Sequence, residues 1–397
     1  MKLLVVLPRF PYPLEKGDKL RAYNHIRFLS KKHEIILCTL NNTEVSGEHL
    51  KKLRPFCKSI HVFKINRFSI LTNLFFAIFK GIPFQAGYFY NKKVQKQIDQ
   101  IIHSEKPDHI FCQLLRVAEY VKTKDIPKTI DYQDVFSKGI ERRISKVPFY
   151  LKPIFKEEYR RLKKYEHDLF NIFDNKTIIS NPDRDLIPHP HNQEIVVIPN
   201  GVDYDFFSPI EQEKKYEIVF IGNMGYPPNV DAAEYLAQKV LPIVHKQKPE
   251  AKLLLAGATP AKRVLEQKSE YVHITGWVDD IRDCYAQARI FVAPMQIGTG
   301  LQNKLLEAMA MKIPSISSKL ANGALCAKDG MEILIGETPD EYAKHIIKLL
   351  DDTKYAHQIA ESAYTFVRSK YDWGNATKLL ENIMEEKTNC FRNNNPN

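Results

Sequence analysis

Two successive series of short apolar segments, separated by stretches of helical periodicity, constrain this chain more than any other feature. The first series runs KLLVVLP (2–8), an amphipathic stretch from Lys19 to Lys31, HEIILCTL (33–40), SIHVFKI (59–65), DHIFCQL (108–114), KTIDY (128–132), KTIIS (176–180) and EIVVIPN (194–200). Strands that are apolar nearly throughout must be covered on both faces, which predicts a parallel sheet between layers of helices. After a turn-rich connection, PNGVDYDFFSPIEQEKK (199–215), the rhythm restarts. YEIVFIG (216–222), a helix from Asn229 to about Lys246, AKLLLAG (251–257), YVHITG (271–276), ARIFVAP (288–294), a helix through Glu307 and IPSIS (313–317) make up the second series.

Two sets of βα units predict two doubly wound α/β domains, with ligand sites at the carboxyl ends of the strands and a cleft between the domains. The expected boundaries are a basic first domain over 1–199, a linker over 200–215, and a second domain over 216–370. A last helix over 371–388 is expected to pack back on the first domain, and 389–397 to be a disordered tail. The segment 150–172 alternates charged and apolar residues at helical spacing and reads as one surface helix.

Net charge is +11, unevenly divided: residues 1–200 hold 35 Lys plus Arg against 21 Asp plus Glu, leaving 23 against 26 for the remainder. A basic half can attract nucleic acid, anionic lipid or a phosphorylated substrate, and it can equally be a solvated lysine-rich surface. The six cysteines show no CxxC pair and no zinc spacing, which with the lack of a signal peptide fits a reducing cytoplasm. The longest apolar run, FSILTNLFFAIF (68–79), is too short to span a bilayer. The wider segment 69–90 reads either as a peripheral membrane contact or as a buried helix and turn.

The stretch VAPMQIGTGLQNKLLEAMAMKIPSIS (292–317) carries the clearest chemistry. Gly298, Thr299 and Gly300 lie between a strand and a helix start, where free amides and the helix dipole favour an anion. Lys304 in the first turn can add a cation for phosphate. Glu307, one turn further in, can accept two sugar hydroxyls. Phosphate at the helix tip and a diol one turn deeper describe a nucleotide. The same pattern also fits an ordinary strand-to-helix turn, with Glu307 paired to a lysine.

IPNGVD (198–203), GWVDD (276–280) and LLEAMAMKIPSIS (305–317), in this order, resemble the retaining glycosyltransferases of family 4. That family has the GT-B architecture, two Rossmann-like doubly wound domains facing a central cleft. PRFPYPLEKGDKLRAYNHIRFL (8–29), GNMGYPPNVDAAEYL (222–236) and GTGLQNKLLEAMAM (298–311) look like a bacterial subgroup tied to exopolysaccharide and capsule assembly. The resemblance implies that Glu307 holds the ribose and that Gly298, Thr299, Gly300 and Leu301, with Asn303 and Lys304, meet the diphosphate or donor sugar. It places Trp277 and Val278 beside the base and Gly222 and Asn223 in the first loop of the donor domain. Gly17, Asp18 and Arg21 would approach the reacting sugar and leaving phosphate. Asp131 and Asp134 follow a strand where relatives often carry a histidine, so Asp134 is a catalytic candidate, with a helix N-cap as its other reading.

Two departures stand out. Thr299 occupies the position of a second acid facing the donor sugar, and GNMGYPPN (222–229) lacks the Arg and Lys that many relatives use for diphosphate. Lys304 and Arg21 are the candidate substitutes. The two Asp-x-Asp triplets, Asp183-Arg184-Asp185 and Asp203-Tyr204-Asp205, are not read as a metal motif, so the reaction expected is metal-independent transfer, with the retention that the resemblance implies, using a nucleotide-diphosphate sugar as co-substrate and no cofactor.

The expected acceptor is a glycan or a polyprenyl-diphosphate-linked glycan, with an anionic membrane surface as a further candidate partner and no nucleic acid. The implied location is cytoplasmic, peripheral on the inner face of the cell membrane. The alternatives are a sugar-nucleotide 2-epimerase of the same fold and an inactive nucleotide-sugar-binding protein. His189 and His191 read as solvent-exposed, not as metal ligands. Arg142-Arg143 and RRLKK (160–164) read as solvated helix faces or as contacts for lipid phosphate.

Overall fold

The computed structural model describes residues 1–14, 16–65, 73, 77, 79, 81–145, 147–297 and 300–394. Gly298 and Thr299, most of the apolar run 68–79 and the last three residues therefore lie outside the described residues. The chain forms two compact units, Met1–Pro199 with Trp373–Asn397, and Asn200–Asp372.

The first unit is built on a seven-stranded sheet of order β3-β2-β1-β4-β5-β6-β7. Its strands are β1 (Lys2–Leu7), β2 (Glu34–Asn41), β3 (Ser59–Lys64), β4 (His109–Gln113), β5 (Lys128–Asp131), β6 (Asn175–Ile178) and β7 (Val196–Val197), all parallel. Alternation along β1, β2 and β4 makes two cores. Leu4, Val6, Ile36, Cys38, Ile110 and Cys112 face one way, and Leu3, Val5, Leu7, Ile35, Leu37 and Phe111 face the other. Helix α1 (Gly17–Leu29) follows β1. Helices α2 (Phe136–Ile144) and α3 (Lys152–Ile172) pack side by side, and α3 sends Leu162, Leu169 and Phe170 into the first core.

The carboxyl-terminal helix, Trp373–Asn394, covers the other core with Ala376, Leu380 and Met384. Polar contacts fix its register: His25 to Thr377 at 2.9 Å, His33 to Glu381 at 2.8 Å, Asn175 to the Ile383 carbonyl at 2.8 Å and His109 to Thr388 at 3.0 Å. A disordered tail is expected from residue 389. The helix instead continues to Asn394, and Arg392 pairs with Asp108 there at 2.5 Å.

The second unit holds a six-stranded parallel sheet of order β10-β9-β8-β11-β12-β13. Its strands are β8 (Tyr216–Ile221), β9 (Leu253–Ala256), β10 (Val272–Ile274), β11 (Ala288–Ala293), β12 (Ser315–Ser317) and β13 (Leu334–Ile335). Residues 200–215, expected as a linker, belong to this unit; Val202 donates to the Tyr371 carbonyl at 2.9 Å. The helix expected over 229–246 starts earlier and is not uniform. It comprises α4 (Pro227–Tyr235), a π-turn at Leu236–Val240 and a last turn, Leu241–His245. Pro242 lacks an amide hydrogen, which disturbs the α-helical ladder one turn before it. Helices α5 (Ile281–Ala286) and α6 (Asn303–Ala310) flank β11 in sequence.

In each sheet the strand order reverses direction beside its first strand, at β1/β4 and at β8/β11. Those switch points open crevices at the carboxyl ends, the usual place for a ligand in open α/β sheets. No described helix is long and apolar enough to cross a membrane.

Burial holds the His109 imidazole down to about 3, between Thr388 and Thr129. The unfolded chain protonates this side chain below about 6.5. The neutral folded form therefore gives stability that is intact above pH 6.5 and is lost on acidification toward pH 3, by up to about 1.4 kcal/mol per pH unit. Glu166, pushed up to about 7 by burial, titrates in the opposite sense. The readout is thus a difference: between pH 7 and pH 5 the urea midpoint of His109→Gln should fall less than that of the parent. Parallel curves would contradict this account.

Candidate functional site

The site in the second unit is assembled at the β8/β11 switch point. The ends of β8 and β9 approach so closely that a β-carbon on Gly257, at φ +137°, would lie 1.9 Å from the Gly222 carbonyl oxygen. Only glycine fits there. The loop after β8 then turns back on itself. Asn223 Oδ1 accepts from the Gly225 amide at 3.0 Å and from the Thr259 hydroxyl at 2.9 Å, and Asn229 Nδ2 donates to the Asn223 carbonyl at 2.9 Å. A β-carbon on Gly222 would meet the Asn229 side chain at 2.7 Å.

Asn229 joins this loop to α6, because its Oδ1 accepts from Lys304 Nζ at 2.5 Å. The ammonium also lies 4.7 Å from the centroid of the Phe220 ring. Scarce water lowers the Lys304 pKa to about 7, against the pull of Glu307. Glu307 is raised by the same desolvation, and Tyr285 and Lys304 oppose the rise. Its Oε2 accepts from the Tyr285 hydroxyl at 2.9 Å, and among the described residues nothing donates to Oε1. The chain thus holds one carboxylate oxygen in place and leaves the other for a hydroxyl donor.

The amino end of α6 has Gln302 as its N-cap, with no side-chain cap; the Leu305 amide bonds the Gln302 carbonyl at 3.0 Å, which leaves the Asn303 and Lys304 amides for an anion. Asn303 opens the helix and accepts from Asn200 Nδ2 at 3.1 Å. Gly300 has open space around its α-carbon, and its carbonyl accepts from Gln302. Leu301 packs on the core. Trp277 and Val278 line a pocket on the other side of α5 from Tyr285, together with Tyr216, Asp280, Cys284 and Gln287. Trp277 is 65% exposed. Consecutive residues of α5 point to the two places: Cys284 lines this pocket, and Tyr285 reaches Glu307.

In the first unit the candidates separate. Gly17 is exposed, with nothing within 4 Å of the place a β-carbon would take, and Asp18 pairs with Arg9 at 3.1 Å. Arg21 is only 1% exposed. Its guanidinium bonds both oxygens of the buried Asp131, at 2.7 and 3.1 Å, and the Ile198 carbonyl at 2.9 Å. It is placed as a strut behind the strand ends and not as a side chain offered to phosphate, because its helix turns that face toward β5. Asp134 is exposed and accepts from the Val135 amide at 2.7 Å; the N-cap of α2 is Val135 itself.

Sequence reasoning passed over Tyr285, Asn229 and Arg116. Arg116 follows β4, bonds Gln85 at 3.0 Å and stacks 4.7 Å from the Phe136 ring centroid. Burial and the charges of Arg9 and Arg143 lower its pKa to about 10, while Asp18 and Asp134 oppose them. A lone Arg just past a strand in QLLRVAEY was the available signal.

His189 is half-buried, stacked 3.7 Å from the Phe170 ring, and His191 is exposed with Nδ1 3.6 Å from Glu194. Among the described residues, one group has ligand atoms close enough for a metal: His33, Glu381 and Glu385. There Glu381 already takes Lys32 at 3.0 Å and His33 at 2.8 Å, which are helix-anchoring contacts.

Residues 215–352 match the family model described as glycosyl transferases group 1. Over nearly its whole length the chain is 24% identical to an uncharacterized 44.6 kDa protein in the cps region of Klebsiella pneumoniae, covering 97% of this chain and 99% of that one. Among solved structures it is similar to Anabaena Alr3699/HepE in complex with UDP and glucose, with TM-score 0.71, 14% identity, and 97% and 100% of the two chains covered. A glycosyltransferase from Rickettsia africae ESF-5 gives TM-score 0.67 at 16% identity, covering 97% and 98%. The architecture is GT-B, and the coarse class that these matches support is a glycosyltransferase.

Lys304 supplies a test of the site's electrostatics. Its folded pKa lies below that of the unfolded chain, so the unfolded state binds the extra proton between about pH 7 and pH 10.4, and this burial costs most stability below pH 7. Lys304→Met should therefore melt higher than the parent at pH 6, and the gap should shrink toward pH 10. A variant that melts lower at pH 6 would contradict the desolvated ammonium.

Proposed function

We propose that the chain transfers a sugar, with retention of configuration and without a divalent metal, from a nucleoside-diphosphate sugar to a glycan or polyprenyl-diphosphate-linked glycan. The process would be cell-surface polysaccharide assembly. The observation that carries the reading is Glu307, anchored through Oε2 by Tyr285 and open at Oε1, three residues from Lys304 on the helix whose first-turn amides have no side-chain cap. The matched glycosyl transferase segment spans this site, and the Klebsiella relative comes from a cps region.

On this reading Glu307 accepts the ribose hydroxyls, and the α6 amides with Gly300 and Leu301 receive the diphosphate. Gly298 and Thr299 are proposed for the donor sugar. Lys304 is bonded to Asn229 of the loop that lacks the usual cations, so it can serve the leaving phosphate from there. Breaking the sugar–phosphate bond moves negative charge onto the diphosphate, and pre-set amides and an ammonium favour that state over the ground state. An anion beside Lys304 also restores its proton, so binding should take up a proton near neutral pH. Gly222 and Asn223 border the phosphates, and Trp277 and Val278 the base. In the first unit Gly17 and Asp18 are proposed to approach the reacting sugar and leaving phosphate and Asp134 to take a catalytic role, with Arg21 as support for Asp131.

A panel of UDP-, GDP-, ADP- and dTDP-sugars should contain at least one that raises the melting temperature. Glu307→Ala should abolish the rise, and Tyr285→Phe should weaken binding by roughly tenfold, the loss of about one hydrogen bond to a charged group. With acceptor glycan present, free nucleoside diphosphate should accumulate, undiminished by chelator. An epimerised nucleotide sugar formed without acceptor would replace this reading with the epimerase, and no shift with any nucleotide sugar would defeat both.

A further inference from the structure

The tip between α2 and α3 combines exposed apolar side chains with unpaired cations. Phe149 is 82% exposed, Tyr150 64% and Ile154 53%, and no other six-residue stretch of described residues leaves three large apolar side chains this open. Residues 142–156, RRISKVPFYLKPIFK, contain five basic residues and no acid. Among the described residues none forms an ion pair with Arg142, Arg143, Lys152 or Lys156, although the neighbouring Lys138–Glu141 and Arg160–Glu157 pairs are closed at 2.8 and 2.7 Å. The base of the tip is rigid. Arg161 of α3 bonds Glu157 at 2.7 Å and the Ala77 carbonyl at 2.8 Å, while Leu162 and Leu169 are buried in the core.

We infer that this tip, centred on Phe149, Tyr150 and Ile154 and ringed by Arg142, Arg143, Lys152 and Lys156, docks the protein on an anionic lipid surface. Phe149 and Tyr150 lie on the short 3-10 turn before α3 and Ile154 in its first helical turn, all three exposed, so they suit insertion among headgroups and acyl chains. The cations stand where lipid phosphates would be, and long basic side chains can lie along the interface with their charges in the headgroups. Phe149 and Tyr150 would also stack with bases, but Ile154 and the flanking Pro148 and Pro153 add apolar surface that a lipid interface buries and a nucleic acid does not. The surface belongs to the first unit, and donor binding is proposed for the second. It stands beside the expectation for segment 69–90, most of whose apolar run lies outside the described residues.

Flotation of the full-length protein with phosphatidylcholine vesicles, with and without phosphatidylglycerol, tests this. Binding is expected only with the anionic lipid and should fall as salt rises. Phe149→Ser with Tyr150→Ser and Ile154→Ser should remove it. Arg142→Glu with Arg143→Glu and Lys156→Glu should weaken it by more than a hundredfold, at roughly fivefold or more for each cation lost. Both variants should keep the parent's melting temperature and nucleotide-sugar shift, which separates loss of docking from failure of the donor site. If a triple variant does not fold, the single change Phe149→Trp substitutes, with a blue-shifted indole emission expected on anionic vesicles. Unchanged flotation of the folded variants, an unshifted emission from the Phe149→Trp protein, or displacement of the vesicles by random-sequence DNA would each overturn the inference.

Discussion

The arrangement of the candidate site in the second unit follows from one close approach, the Gly222 carbonyl oxygen occupying the space that a side chain on residue 257 would need. Because β8 and β9 end in contact, the loop after β8 has to fold back at once, and it does so through Asn223 and Asn229. Asn229 then takes the Lys304 ammonium. Lys304 and Glu307 are one helical turn apart, so fixing one fixes the other's place on the sheet edge. A backbone contact between two glycines thereby sets the position of the two charges.

Those charges are in tension with their surroundings. Desolvation pulls the lysine toward neutrality and the carboxylate toward protonation, and each opposes the other's shift. Such a pair gains from a ligand that brings both a phosphate and hydroxyl donors. The first unit shows the contrary case. Arg21 and Asp131 are deeply buried but fully engaged with each other, with Thr177 and with the Ile198 carbonyl, and they have nothing left for a ligand.

Much of this was legible in the sequence. Apolar runs such as KLLVVLP and YEIVFIG marked strands buried on both faces, and the order reversal of a doubly wound sheet follows from βα repetition. The apolar helix with a single acid marked Glu307. What the sequence withheld was orientation. Nothing in GDKLRAYNH says that Arg21 faces β5 while Asp18 turns to Arg9, and nothing in IRDCYAQA says that a tyrosine hydroxyl reaches the neighbouring helix. The tail differs from expectation for a related reason: its polar composition predicts disorder, but His109 and Asn175, more than 200 residues away, anchor that helix, and Arg392 pairs with Asp108 near its end.

The central claim is that Glu307 grips a ribose. Calorimetry with UDP, or with GDP if that nucleotide binds, and with its 2′,3′-dideoxy analogue, on the parent and on Glu307→Ala, tests it most directly. The account predicts that removing the hydroxyls weakens binding to the parent by at least roughly tenfold, and that the same removal changes little in Glu307→Ala, since a charged hydrogen bond contributes about 1.5–3 kcal/mol. Equal losses in both proteins would contradict it, because the hydroxyls would then be held by some other group.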